Sequence, residues 1–407
     1  MATEFRIPID RSATVVRRKP SLDFSVTGLV YCSMMMFMGL AAINSQANLL
    51  FGVFGLMIGI LVISGVVSRL VLRKLAIRRT LPENAEVGVT VTFVYQFENR
   101  KRYWPSVSVT IAELDGAEGF TKQPQSYMLH AAAQHTASVP TELLPKRRGL
   151  HELDRYQVST SFPFGFIKRA IERAQKDSLV IFPPLGTVDR RLMQMCKSAE
   201  NTGSMMRPKH GGMDEFYGVK EYRRGENPRF IYWRRSTRAG ALVSKEMTQV
   251  SPPRLVLVVD THLKDETAES FSDVERTIAM AASVASHAIK EGLLVGLVVW
   301  SNEWIIVPPD RGKRHRVDLL AVLARLPKNT AHPMASLLPQ AQKVIEDATT
   351  GVVFTSGTLA QSLGDRVRST LVVVSSRSPQ HRAWFGFDKD IDFQTCMPAD
   401  QQPKLKH

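Results

Sequence analysis

FSVTGLVYCSMMMFMGLAAINSQANLLFGVFGLMIGILVISGVVS, residues 24–68, carries no charged side chain. One crossing of a bilayer needs ~20 apolar residues, and this stretch is more than twice that length. The polar NSQAN (Asn44 to Asn48) divides it into spans near 26–43 and 49–67, so a transmembrane helical hairpin is expected over 24–68. A helical hairpin buried in a soluble protein would carry charge on one face, and none is present. Arg6, Arg11, Arg17, Arg18 and Lys19 precede the stretch; Arg69, Arg73, Lys74, Arg78 and Arg79 follow it. The positive-inside rule places both flanks, including a tail over 1–23, on the cytoplasmic side. A cleaved signal peptide is the competing reading of the first span. KPSLDF after Arg17-Arg18 matches a twin-arginine signal poorly.

The 407 residues hold 53 Lys and Arg against 38 Asp and Glu, a formal net charge of +15. That excess attracts nucleic acid, phospholipid or an acidic protein, although part of it merely flanks the apolar stretch. Cys32, Cys196 and Cys396 lie far apart, which rules out a disulfide framework or zinc spacing and points to a reducing compartment for the soluble part. GxxxxGK[ST], GxGxxG, HExxH and GxSxG are all absent, and HELDR (151–155) lacks a second histidine. No reaction is assigned on this basis.

Residues 80–184 read as short strands: EVGVTVTFVYQFEN (86–99), SVSVTIAEL (106–114), HTASVPTEL (135–143), LHELDRYQVST (150–160) and SLVIF (178–182). Their alternation and spacing predict an antiparallel, immunoglobulin-like β-sandwich. KRRGLHELDR (146–155) reads as a strand edge with solvated charges, and FPFGF (162–166) as a turn over packed aromatics. Over 254–400 the period changes. RLVLVVD (254–260), LVGLVVW (294–300), GVVFTS (351–356) and TLVVVSS (370–376) read as buried strands, with WIIVPPD (304–310) pairing beside them. Helices are expected over 271–292 and near 315–326 and 334–348, which makes this part a doubly wound α/β domain. Ligands in such folds sit at the carboxyl ends of strands, which singles out Asp260.

Between these parts, 185–253 contains VKEYRRGENPRFIYWRRSTRAGALVSKE (219–246). Arginines interleaved with aromatics serve nucleic acid, a structural clamp or a docking surface. Glu221, Glu226 and Glu246 dilute the charge and argue against nucleic acid. In the clamp reading, Gly225 and Asn227-Pro228 form a turn, Phe230, Ile231 and Trp233 form a strand with apolar anchors, and Arg229, Trp233 and Arg238 hold the segment. In the docking reading, Arg224, Arg234 and Arg235 face outward. PPDRGKRHR (308–316) is a second basic edge.

DEFYGVKEYRRGENPRFIYWRRSTRAGALVSKE (214–246) resembles the signature of the bacterial domain of unknown function 58 family, G-x-F-x-x-[LV]-[RK]-E-Y-x-x-G-[DE]-[DN]-x-R-x-I-x-W-[KR]-x-[ST]-x-R-x-x-x-L-x-x-[KR]-E. SLVIFPPL (178–185), the apolar hairpin and the strand ending at Asp260 are similar to the same family's layout. The resemblance implies an α/β and all-β multidomain protein of the bacterial inner membrane, multi-pass with both termini cytoplasmic. Its parts would be a transmembrane hairpin, a β-sandwich and a von Willebrand factor A-like domain. It implies a MoxR-type AAA+ ATPase as partner, with other von Willebrand factor A-like proteins and the lipid bilayer. Glu221, Tyr222, Arg224, Gly225, Arg229, Trp233, Arg234, Arg235 and Arg238 become a partner-docking or structural signature. The metal-adhesion motif D-x-S-x-S is degraded to Asp260, Thr261, His262, Leu263 and Lys264, so no cofactor is expected, and a divalent cation at Asp260 is the lesser reading. The expected role is a non-enzymatic adaptor of an AAA+ ATPase in the assembly or maturation of other proteins. The alternative is a metal-dependent or phosphate-directed hydrolase using Asp260.

Overall fold

The computed structural model describes residues 21–198, 215–223, 226–248, 254–263, 265, 267–327, 337, 339–340, 349–357 and 371–398. Arg224, Gly225, Lys264, residues 1–20 and most of the helix expected at 334–348 lie outside them. The chain divides into two compact units. One runs to Pro183 and takes up the chain again at Thr395; the other runs from Pro184 to Gln394.

The first unit opens with β1 (Ser21–Phe24), α1 (Val26–Ser45) and α2 (Asn48–Leu72). Ser25 caps α1, its Oγ accepting from the Gly28 N–H at 3.0 Å. Gln46, at φ +50°, ends that helix with an N–H bond to the Ala42 carbonyl. Tyr31 Oη donates to the Met57 carbonyl at 3.0 Å, and Gly39 lies against Phe54, a pairing that runs antiparallel. Leu29, Phe37, Leu40, Leu49, Leu56 and Val62 are each more than half exposed. Contiguous apolar surface of this kind is unfavourable in water, and both helices are long and apolar enough to cross a membrane. The last turns of α2 differ: Ser64, Ser68, Val71 and Leu72 are buried.

Eight further strands follow: β2 (Leu75–Thr80), β3 (Ala85–Glu86), β4 (Val91–Asn99), β5 (Ser106–Glu113), β6 (Gln125–Ala131), β7 (Thr136–Leu143), β8 (Gly149–Thr160) and β9 (Ile167–Phe182). One sheet has the order β1-β9-β8-β5-β6 with β3 beside β9; the other is β2-β4-β7. Every pairing is antiparallel except β3 with β9. In β4 the alternation sends Phe93, Tyr95 and Phe97 inward at 0% exposure, each burial contributing roughly 1.5–3 kcal/mol.

A charged network crosses between the two sheets. Arg79 of β2 pairs with Glu113 of β5 and, at 2.9 Å, with Asp177 of β9. The Tyr95 hydroxyl donates to Glu113 Oε1 at 2.8 Å, and burial holds its pKa well above the usual phenol range, so it stays a donor. Arg79 also donates to the carbonyls of Leu153 and Gln175. Buried charge is tolerated only when paired and hydrogen-bonded in this way.

Three expectations are corrected in this unit. SLVIF is the end of a 16-residue strand, because β8 pairs along nearly all of β9. KRRGLHELDR is not a solvated edge: β8 lies between β5 and β9, Arg148 is fully buried, and burial holds the His151 pKa below its usual range. β1, β2 and β6 lie outside the strands read from the sequence. The returning chain adds Cys396 and Met397 to the core, and the Arg148 N–H donates to the Cys396 carbonyl at 2.8 Å.

The second unit runs through β10 (Thr187–Val188), α3 (Arg190–Ser198), β11 (Glu215–Glu221), α4 (Trp233–Ala239), β12 (Val243–Thr248), β13 (Arg254–Val259) and α5 (Ala268–Lys290). It continues with β14 (Leu294–Ser301), β15 (Glu303–Asp310), α6 (Lys313–Ala324), β16 (Thr349–Thr355), β17 (Leu371–Ser375), α7 (His381–Trp384) and β18 (Phe385–Gly386). Its main sheet has the order β15-β14-β13-β16-β17, parallel throughout except for the β14–β15 edge. Leu255 to Val259 are fully buried, the continuous apolar run that a covered parallel strand requires. Helix α5 lays its small residues Ala281, Ala282, Ser283 and Ala285 toward the core. Thr267 caps its start, and Gly292, at φ +86°, follows its end.

Candidate functional site

The arginine-rich signature is an excursion from a two-stranded hairpin. β11 and β12 pair antiparallel from Glu215↔Thr248 to Glu221↔Val243, and residues 222–242 leave and return between them. The Tyr222 N–H donates to the Leu242 carbonyl at 2.8 Å, and the Tyr232 N–H to the Val243 carbonyl at 2.8 Å. Asn227 Oδ1 accepts from the Arg229 N–H at 3.1 Å and starts a 3-10 turn over Pro228–Phe230. Ile231 bridges to Ser244. α4 then begins at Trp233 and ends at Gly240, whose φ of +66° is the left-handed cap that glycine adopts without strain.

Ser236 is the pin. It is 8% exposed, its Oγ accepts from the Val243 N–H at 2.9 Å, and it donates to the Tyr232 carbonyl at 3.1 Å. The Tyr222 hydroxyl bonds the Glu226 carbonyl at 2.9 Å, Lys220 pairs with Glu226 at 3.1 Å, and Lys245 lies over the Tyr232 ring at 5.0 Å. The Lys220 ammonium holds the Glu226 carboxyl below its usual range.

This overturns two parts of the clamp reading. Phe230 to Trp233 do not form a strand; they pass from a 3-10 turn into a helix, because the paired strands are already joined through Tyr222 and Tyr232. Trp233 is no anchor, being 64% exposed. Arg229, Arg234, Arg235 and Arg238 are exposed, and none of their guanidinium groups makes an ion pair or hydrogen bond among the described residues. At 3.6 residues per turn, Arg234 and Arg238 sit opposite the buried Ser236. Glu221 is exposed, Tyr222 half-buried, and Arg224 and Gly225 lie outside the described residues. Residue-type reasoning missed Ser236, although the [ST] position of the signature marks it.

Asp260 sits where β13 ends. It is 5% exposed; its Oδ1 accepts from the His262 N–H at 3.0 Å and its Oδ2 from the Thr355 hydroxyl at 3.0 Å. Its own N–H donates to the Phe354 carbonyl at 2.8 Å, so the residue stitches the end of β13 to β16. Burial pushes its carboxyl pKa up, with those two donors pulling the other way. Thr261 Oγ1 and Ser376 Oγ are buried nearby without a hydrogen-bond partner among the described residues. Hard divalent cations take six or more oxygens, several of them anionic. Here one carboxylate already serves two protein donors, and among the described residues no three His, Cys, Asp or Glu converge. That donor set fits a cation poorly.

The uncharacterized protein YeaD of Bacillus subtilis (strain 168) is 22% identical over 253 residues, covering 61% of this chain and 60% of its own length. Among solved structures, the CARDB domain of a Pyrococcus furiosus protein aligns with 26% of this chain and 94% of its own, at 7% identity and a TM-score of 0.19. The sporulation control protein Spo0M of Bacillus subtilis aligns with 33% of this chain and 58% of its own, at 10% identity and a TM-score of 0.17. The family described as "Protein of unknown function DUF58" matches residues 218–378, which run from the signature hairpin through the parallel sheet.

Proposed function

We propose that this chain is a membrane-anchored adaptor, without a reaction of its own, that presents α4 to an acidic face on a partner. The observation behind this reading is the division of labour in the signature. Ser236, Tyr232 and Asn227 hold the fold, while Trp233, Arg229, Arg234, Arg235 and Arg238 are exposed, the four guanidinium groups without an ion pair or hydrogen bond among the described residues. Trp and Arg dominate interface hot spots, and guanidinium groups match carboxylates bidentately. The partner in this proposal is a MoxR-type AAA+ ATPase, as the family resemblance implies, in the assembly or maturation of other proteins. The parallel sheet is read as von Willebrand factor A-like and the sandwich as immunoglobulin-like. The two apolar helices are read as spanning a bacterial inner membrane with both flanks cytoplasmic.

Affinity capture from detergent-solubilised native membranes tests the reading. An AAA+ ATPase that co-purifies with wild type and is lost with Arg234→Glu/Arg238→Glu supports it. A folded variant that retains the ATPase, or a wild type without one, refutes it.

A further inference from the structure

Two loops of the sandwich lie against the helices that leave it. The turn at 162–166 packs on the start of α1. The Phe166 carbonyl accepts from the Ser25 N–H at 3.0 Å, the Phe166 ring stacks on Tyr31 at 4.2 Å, and a β-carbon at Gly28 would overlap the Phe166 carbonyl. The loop at 100–105 wraps the end of α2, where Lys101 Nζ reaches the Leu70 and Val71 carbonyls. Both loops nevertheless expose aromatics: Phe164 is 52%, Tyr103 74% and Trp104 58% exposed. Basic groups stand beside them. Arg102 is exposed over the Tyr103 ring at 5.1 Å, and Arg73 and Lys74 are exposed at the end of α2.

The two loops lie at different heights. Ile167, just after the first turn, lies next to Gly65, and the second loop meets α2 at Val71. Six residues of helix separate these levels by about 9 Å. A headgroup layer, the difference between a ~30 Å hydrocarbon core and a 40–45 Å bilayer, is roughly 5–8 Å deep on each side. We infer that these loops form a lipid-binding collar: Phe164 enters the acyl chains beside α1, while Arg102, Tyr103, Trp104, Arg73 and Lys74 meet the phospholipid phosphates. Tyr and Trp favour that boundary because one end of each ring system is polar, and cations favour it because the phosphates are anionic. The sandwich then does not hang from a flexible stalk but sits seated in the headgroup layer. This inference rests on the reading that α1 and α2 span the bilayer.

The test uses the full chain in vesicles of phosphatidylcholine and phosphatidylglycerol, with acyl chains brominated at a shallow position. The difference between wild type and Trp104→Phe isolates the Trp104 fluorescence, and Phe164→Trp in the Trp104→Phe background reports the other loop. The collar predicts that bromolipid quenches both signals, Phe164→Trp more strongly, and that aqueous iodide quenches neither well. Carbonate extraction reports on the spanning helices separately. Protein that resists carbonate, with both signals quenched by iodide and untouched by bromolipid, overturns the collar alone. Protein released by carbonate overturns the spanning reading and the collar with it.

Discussion

Lys101 Nζ donates to the Val71 carbonyl at 2.8 Å and the Leu70 carbonyl at 3.0 Å, closing the end of α2 with a side chain from the β4–β5 loop. Ser106 Oγ accepts from the same ammonium at 2.7 Å and itself donates to Val71 at 2.9 Å. The last carbonyls of a helix lack intrahelical donors, and a cation there also meets the negative end of the helix dipole. Burial pushes the Lys101 pKa down to about 8, so the ammonium persists at neutral pH. Lys101→Met removes the charged donor and leaves the Val71 carbonyl to the Ser106 hydroxyl and the Leu70 carbonyl to the Arg73 N–H alone, which should lower stability by about 1–3 kcal/mol. Thermal unfolding in detergent measures it, and an unchanged midpoint would show that water caps the helix equally well.

Arg79 and Glu113 are buried together at 0% side-chain exposure. Arg79→Ala strands the Glu113 carboxylate and should cost roughly 3–5 kcal/mol, whereas Arg79→Met/Glu113→Leu removes the two fully buried charges, leaves Asp177 and the Tyr95 hydroxyl without those partners, and should recover part of that loss. Denaturant unfolding of the two variants gives the comparison. A double variant as unstable as Arg79→Ala would contradict this account of the network.

Ser236→Ala and Arg234→Glu/Arg238→Glu should separate folding from recognition. The first leaves the buried Val243 N–H unpaired, at about 1–3 kcal/mol. The second alters exposed side chains and should stay within about 0.5 kcal/mol of wild type. Thermal midpoints decide between them, and a large shift for the arginine pair would return those residues to a structural role.

Asp260 gives the second unit a pH dependence whose direction follows from its raised pKa. The folded state holds this proton more tightly than the unfolded chain, so its contribution is present at acid pH. It is lost as pH rises out of the ordinary carboxylate range and through the folded pKa. Asp260→Asn keeps an acceptor for the His262 N–H, and the Thr355 hydroxyl can rotate to accept. The variant should therefore unfold with a flatter pH profile and no loss of stability at neutral pH. A steeper profile, or collapse at neutral pH, would mean that the carboxylate charge itself is needed.

The parts legible in the sequence were those where one local period dominates. The charge-free run at 24–68, the alternation Phe93, Tyr95, Phe97 and the apolar run Leu255 to Val259 each state their environment within a few residues. The first two thirds of β9 were not legible, because IKRAIERAQK (167–176) spaces its charges like a helix; pairing with β8 makes it a strand. Lys101, between Arg100 and Arg102, looks like one more solvated cation until the end of α2 is set beside it. At the signature, residue types pointed to the arginines and Trp233 as the clamp. A small hydroxyl, Ser236, performs that task, which frees the large side chains for a surface.

The return of the chain to the sandwich at Cys396 has a mechanical consequence. The second unit leaves its host after Pro183 and the chain comes back at Thr395, so among the described residues two covalent leads join it to that body rather than one. A pull or twist exerted on it would reach the body carrying α1 and α2 through both leads at once. One of them, the strand ending in Phe182, is hydrogen-bonded along its length; the other is secured at the Arg148 N–H and the buried Met397. A single lead allows free swivelling, whereas two transmit torque.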